Sequence, residues 1–285
     1  MTLLGSALLE YKLMEDELLE DKIVKFGGEV SPKFGWCIIY MGGGGSGKST
    51  ATNYLSRIQG KVFNVDEWKE NSNRWKLTNP ETGRPYEADF ETPEEERTLD
   101  NSEFVSQLHN TFKPVTKKVK KGMLNNPASD PRRLPNMIFD MTGDSVNKID
   151  EIVKAVKPQG YKVGIIWILN TFGKAWKNNA KRGRQVNSDV MYTKHRDVLA
   201  TAEEIFSSGY IKSIDEFWVI DAFNPEGPQK GEDGKVTQDS AVKYHDEPNV
   251  YKIPTNENGL KEFEEVVEII EATRNDIQNY KDLYL

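Results

Sequence analysis

Residues Gly42 to Thr50 read GGGGSGKST and fit the phosphate-binding pattern G-x-x-x-x-G-K-S/T, with Gly42, Gly47, Lys48 and Ser49 at its fixed positions. Each residue type answers a physical need of a polyphosphate. The run Gly42, Gly43, Gly44, Gly45, Ser46 and Gly47 lets the backbone turn tightly and aim its N–H groups at phosphate oxygens, because glycine has no Cβ to block the approach. A helix beginning at Lys48 adds the positive end of its dipole. Lys48 is expected to reach the β- and γ-phosphates, Ser49 to bind Mg²⁺ through its hydroxyl, and Thr50 to complete the loop. The cofactor implied is ATP or GTP carried with Mg²⁺.

Further chemistry-bearing residues follow the apolar runs. Asp66 lies eighteen residues after Lys48, at the end of the run Lys61 to Val65. A carboxylate there suits a general base that accepts the proton of an acceptor hydroxyl and orients it for in-line attack; the plainer alternative is a cap on the next segment. Asp140 ends the run Asn136 to Met141, and Thr142 follows it. Both are expected to touch substrate, with Asp140 also a candidate Mg²⁺ group beside Ser49. Asp144 is assigned the blander role of helix cap, as is Ser145. Lys174, Lys177, Lys181, Arg182 and Arg184 crowd the segment after the run Lys162 to Leu169. A cationic lid of this kind neutralises charge spread over a transferring phosphoryl group, and Arg182 and Arg184 are its best candidates because guanidinium is planar and always charged. The histidines, His109, His195 and His245, are scattered without ligand spacing, and no Cys/His cluster suggests a bound transition metal.

The elements that must position these groups are short apolar strands alternating with helical stretches. Strands are predicted at 35–41, 61–65, 136–141, 162–169 and 216–221, with helices at 48–58, 102–123, 145–156, 171–185, 188–206 and 259–280, and a short edge strand at 251–253. The near-continuous apolar run KVGIIWIL suits a parallel strand buried on both faces. The pattern predicts an α/β protein: a three-layer fold with a mainly parallel five-stranded sheet and helices on both faces. The loop, Asp66, Asp140 to Thr142 and the start of the basic segment all fall at the carboxyl ends of strands, where such sheets bind ligands. Residues 1–33, with apolar residues at near-helical spacing, form an N-terminal helical extension in this division, and 34–285 form the catalytic domain. An insertion at about 68–101 holds Trp68, Trp75, Tyr86 and Phe90 among charges and prolines, and is expected to embrace substrate. Residues 222–249 are expected to be a long polar loop.

Bulk composition narrows the classes. The 285 residues carry 37% hydrophobic content and a net charge of −7, and no apolar stretch is long enough to span a membrane. The acidic N-terminus does not resemble a secretory signal, and the single Cys37 suits a reducing compartment, so the expected location is the cytoplasm (host cytoplasm if the source is viral). The acidic balance argues against a broad nucleic-acid-coating surface while leaving room for a local basic groove, for which Lys113, Lys117, Lys118, Lys120 and Lys121 are the candidate. A solvated helix face is the competing reading of that run. Oligomeric state is not indicated.

The set Gly42-x4-Gly47-Lys48-Ser49-Thr50, Asp66, and Asp140-x-Thr142 resembles small P-loop kinases. The later run Arg182-Gly183-Arg184-x-Val186, with His195 beyond it, looks like the lid region of the zeta-toxin and polynucleotide-kinase branch. The likeness covers about residues 35–221. Asp140 stands where zeta-like enzymes usually carry Glu, and a lysine stands where the first lid residue is usually Arg. The resemblance implies a kinase that transfers the γ-phosphate to a hydroxyl of a nucleotide or nucleic acid. It extends to kinases of bacterial viruses that act on hydroxymethylated bases of DNA, 5-hydroxymethyluracil among them. A zeta-toxin-like UDP-sugar kinase is the alternative acceptor class. The insertion aromatics and the lysine run favour nucleic acid. A nucleotide-driven switch or motor is a reading of a different class. Against it, there is no N-K-x-D base-reading motif, and Asp140 is followed by Met141 rather than by a second acid.

Overall fold

The computed structural model describes residues 23–64, 76, 78–79, 82–99, 101–125, 134–181, 186–221, 249–255 and 263–284. Alternation of side chains along the strands decides the layering. In β1 (Trp36–Met41), Cys37, Ile39 and Met41 point to one face and Trp36, Ile38 and Tyr40 to the other, and all six are buried. A strand buried on both faces needs a layer of structure on each side.

The other strands are β2 (Lys61–Asn64), β3 (Met137–Asp140), β4 (Lys162–Leu169), β5 (Glu216–Asp221) and β6 (Asn249–Ile253). They form one six-stranded sheet in the order β2-β3-β1-β4-β5-β6. The first five run parallel, and β6 pairs antiparallel with β5. The anticipated edge strand is therefore a five-residue strand and makes the sheet six-stranded rather than five. β4 and β5 have the predicted limits, because their apolar runs end abruptly at Asn170 and Asp221. The chain leaves β1 for β2 on one side and later returns for β4 on the other. This switch point lies at the carboxyl end of β1, where doubly wound sheets open a crevice.

The helices are α1 (Lys48–Thr50), α2 (Ser102–Leu124), α3 (Val146–Val156), α4 (Phe172–Ala180), α5 (Ser188–Ser207) and α6 (Phe263–Tyr284). Helix α3 buries Ile149, Ile152, Val153 and Val156 on one side of the sheet, and α5 buries Met191, Val198, Leu199 and Ala202 there too. The opposite face is covered by Ala51, Ile58, Val24 and Phe26. Residues 1–22 of the N-terminal extension lie outside the described residues. Val24 and Phe26 are fully buried in this second layer. Among the described residues, no helix is long and apolar enough to cross a membrane.

The helix after the glycine run departs from the expectation of a regular α-helix to residue 58. Only Lys48–Thr50 is α-helical, and Ala51–Ser56 continues as π-helix. The cause is local. Thr52 Oγ1 donates to Lys48 O at 2.9 Å and Ser56 Oγ to Thr52 O at 3.4 Å, so side-chain hydroxyls compete for the i−4 carbonyls. Wide turns of this kind often accompany functional sites.

Candidate functional site

The glycine run leaves β1 at its carboxyl end and turns over the sheet. Gly42 N donates to Thr142 O at 3.0 Å, which fastens the start of the loop to the segment after β3. Gly45 and Gly47 have φ of +77° and +102°, values that side chains with a Cβ rarely adopt, and Gly47 is the N-cap of α1. Close approach adds a second reason for glycine. A Cβ on Gly43 would lie 2.3 Å from the His195 ring, and one on Gly45 would lie 2.1 Å from Ala175 O.

The carbonyls of the loop are taken up one after another by side-chain donors. Lys48 Nζ donates to Gly42 O at 2.7 Å and Gly43 O at 3.2 Å. His195 Nε2 donates to Gly44 O at 2.9 Å, Asn178 Nδ2 to Gly45 O at 2.9 Å, and Asn170 Nδ2 to Ser46 O at 3.4 Å. No hydrogen bond within the described protein engages the amides of Gly44, Gly45 or Gly47. Ser46 Oγ and Asn170 Oδ1 are also buried without a hydrogen-bond partner among the described residues. The loop thus offers a row of unused donors, which is the requirement of a phosphate nest.

The donors behind the loop come from well-defined places. Asn170 directly follows β4, Asn178 lies on α4, and His195 sits on the inward stripe of α5 with Met191 and Val198. Helix α4 starts at the N-cap Thr171, and Asp276 Oδ2 of α6 accepts from Phe172 N at 2.5 Å, so α6 holds the start of α4. Burial pushes the Asp276 carboxyl up, and the Phe172 amide only partly offsets this. The edge of Phe172 meets the His195 ring at a centroid separation of 5.2 Å. Burial, and then the nearby Lys48 ammonium, hold the His195 imidazole down at about 4 despite its bond to Gly44, so it is neutral near pH 7. Sequence reasoning passed over His195 as scattered. The available signal was its place at i, i+4 and i+7 with Met191 and Val198, where an apolar residue is expected.

Asp140 ends β3 directly beside Tyr40 of β1 and Asn64 of β2. It is half-buried, and Asn64 Nδ2 donates to its Oδ2 at 3.1 Å. Thr142 is half-buried next to the loop, and Ser49 is exposed in the first turn of α1. Hydroxyl and carboxylate are hard oxygen donors, so this pair fits Mg²⁺, and the amide nest with Lys48 fits a nucleotide polyphosphate. The Thr50 backbone continues α1. Asp66, Arg182 and Arg184 lie outside the described residues, and Asn64 is the last described residue before Asp66.

Some expectations are corrected. Asp144 is not a helix cap: the N-cap of α3 is Ser145, whose side chain makes no capping bond. Asp144 instead accepts from Lys148 Nζ at 2.7 Å and from Lys194 Nζ of α5 at 2.5 Å. Burial pushes its carboxyl up, and these two ammonium groups more than reverse that, leaving it below the usual carboxylate range. Tyr86 and Phe90 of the insertion are not open for stacking. They are buried against Phe104, Leu108 and Phe112 of α2 in a separate small core. Trp68 and Trp75 lie outside the described residues. Helix α2, which carries the lysine run, ends at the opposite end of the sheet from the loop. Gln159 Nε2 donates to Leu124 O at 2.5 Å, so α2 ends beside the turn that enters the amino end of β4. Lys120 pairs with Glu151 of α3 at 3.0 Å, while Lys113, Lys117 and Lys121 are exposed. A cavity of about 620 Å³ lined by Phe26, Phe34, Trp36 and Lys162 opens at that same end of the sheet. Parallel sheets bind ligands at the opposite, carboxyl end, so the loop is the candidate site.

Fold and loop together define a three-layer α/β protein of the P-loop class. No family model and no curated protein matches the chain. Among solved structures, the AvrRxo1-ORF1:-ORF2 complex with ATP is similar at a TM-score of 0.50 and 12% identity, over 87% of this chain and 77% of that one. A structure from the PezAT chromosomal toxin–antitoxin system of the human pathogen Streptococcus pneumoniae matches at a TM-score of 0.46 and 12% identity, over 94% and 95% of the two chains. The first likeness speaks for the fold alone, and the second is too loose to argue from.

Proposed function

We propose that the chain is an ATP-dependent kinase that moves the γ-phosphoryl group to a hydroxyl of a nucleotide-class acceptor. The observation that carries this reading is the loop itself: its carbonyls are bound from behind, its start is fastened to Thr142 O, and the amides of Gly44, Gly45 and Gly47 stay unused. When bound, MgATP supplies the transferable phosphoryl group and the charge that polarises it. Gly42, Gly43, Gly44, Gly45, Ser46 and Gly47 would wrap its phosphates, and Lys48, which donates to Gly42 O and Gly43 O here, would turn to phosphate oxygens. Ser49 and Asp140 would hold Mg²⁺. Asp66 accepts the acceptor hydroxyl proton, Thr142 orients the acceptor, and Arg182 and Arg184 offset charge on the transferring group.

A small acceptor is favoured over a DNA chain. The burial of Tyr86 and Phe90 removes one support for nucleic acid, including the hydroxymethyluracil reading. A nucleotide or a UDP-sugar therefore leads the acceptor panel, with hydroxymethyluracil-containing DNA as its contrast. The roles are tested with Asp66→Asn, which keeps size but cannot take a proton. Transfer should fall by about 10² to 10⁴ while MgATP affinity stays within a few-fold. Weakened, metal-dependent nucleotide binding would make Asp66 a metal ligand instead. Full activity would remove it from the site.

A further inference from the structure

We propose that His195, assisted by Asn178, is a positioning residue for nucleotide binding: it sets the amides of the phosphate loop by holding the loop carbonyls from behind. The proposal rests on the kinase reading for its ligand and on geometry for its content. A peptide unit is planar, so fixing a carbonyl fixes the direction of the N–H on the other side of that unit. His195 holds Gly44 O and Asn178 holds Gly45 O, each at 2.9 Å. The peptide units so fixed carry the N–H groups of Gly45 and Ser46. Ser46 N already donates to Gly43 O at 3.2 Å, which closes the turn, while Gly45 N is one of the unused donors.

The brace has little slack. His195 is 8% exposed, its ring occupies the space where a Gly43 side chain would begin, and Phe172 packs edge-on against it. Ala175 O occupies the corresponding space behind Gly45. The imidazole and the amide therefore meet a loop whose residues are too small to push back. Helices α4 and α5 also flank residues 182–185 in the chain. Through this brace the loop's shape is tied to the two helices that carry the basic segment between them.

The test is titration of the full chain with ATP and Mg²⁺, together with thermal unfolding, on wild type, His195→Phe and His195→Gln. Phe keeps the ring but has no N–H; Gln keeps an N–H at similar reach. His195→Phe should weaken ATP binding roughly ten-fold, the size expected when a buried carbonyl loses its donor. Its Tm should stay within a few degrees of wild type, and His195→Gln should recover most of the affinity. In turnover the loss should fall on KM for ATP more than on kcat. Wild-type affinity in His195→Phe would overturn the proposal. So would equal losses of affinity in both variants accompanied by equal drops in Tm, which describe a residue that only fills space. If His195→Phe does not fold, Gly43→Ala gives the same information, because the added Cβ must displace the ring. Its loss of ATP affinity should be less than additive with His195→Ala, and additivity would contradict the brace. A wild-type protein that binds no ATP would sink the kinase reading itself. Wild-type binding with an unaffected His195→Phe would sink only the positioning role.

Discussion

The phosphate loop and the insertion packed on α2 both carry conspicuous residues, yet the structure uses them in opposite ways. In the loop, the conspicuous residues are small and the backbone does the work: carbonyls are bound from behind by Lys48, His195, Asn178 and Asn170, and amides are left for a ligand. In the insertion, the conspicuous residues are large, and they are consumed by packing. Tyr86 lies 5.0 Å from Phe112, and Phe90 lies 5.4 Å from Phe104, as ring-centroid separations. Arg97 adds a cation over the Phe90 ring at 5.6 Å and donates to Thr92 O at 2.8 Å. An aromatic residue in a polar stretch is thus as ready to build a satellite core as to receive a base. Glycines at fixed spacing before Lys-Ser leave fewer alternatives.

The comparison breaks most visibly at Lys48. Lys48→Ala should abolish transfer, by about 10³-fold or more, because the lysine is the side-chain cation within the loop. Circular dichroism and Tm should stay close to wild type, since the hydrogen bonds from Lys48 to Gly42 O and Gly43 O hold the loop rather than the core. Near wild-type turnover would make the loop as inert as the insertion.

Phe90→Ala sharpens the other side. It should destabilise the protein by about 3 kcal/mol in denaturant unfolding, as for a buried aromatic removed from a core, with ATP affinity unchanged. Impaired ATP binding in a folded Phe90→Ala protein would show that the insertion reaches the site. Arg184→Ala should lower kcat about 10²-fold and weaken ATP binding less, the signature of a group that acts on transition-state charge. An unchanged kcat would take Arg184 out of the mechanism.

The smallest expected effect is a pH dependence carried by His195. Its folded value is depressed to about 4 from the ordinary 6.5, chiefly by burial. The neutral ring therefore contributes stability that is fully present above pH 6.5 and is lost as pH falls from there towards 4. At pH 5.5 the contribution should be smaller than at pH 7.5 by on the order of 1 kcal/mol. Asp144, held low by two lysines, loses its own contribution only at lower pH. The difference in slope between wild type and His195→Phe isolates the histidine, and identical slopes would contradict the assignment.

Much of the fold was legible because it rests on short-range pattern. The apolar runs of β4 and β5 end where the sequence turns polar, and the glycine run states its own conformation. What escaped was set by neighbours far along the chain. The bond from His195 to Gly44 spans 151 residues and that from Asn178 to Gly45 spans 133, so no local window contains both ends. Asp144 looked like a cap because it precedes a helix, and only the approach of Lys194 from α5 makes it an ion-pair bridge. The π-helical turns after Thr50 depend on hydroxyls choosing carbonyls that propensity assigns to amides.

The central claim is that the loop serves phosphoryl transfer to a hydroxyl. The most direct measurement is incubation of the full chain with γ-labelled ATP, Mg²⁺ and a panel of nucleosides, nucleotides, UDP-sugars, DNA ends and hydroxymethyluracil-containing DNA. The account predicts covalent label on a nucleotide-class acceptor, absent with Lys48→Ala. Label released only as inorganic phosphate, at a rate no acceptor changes, would contradict it and assign the loop to a nucleotide-driven switch or motor.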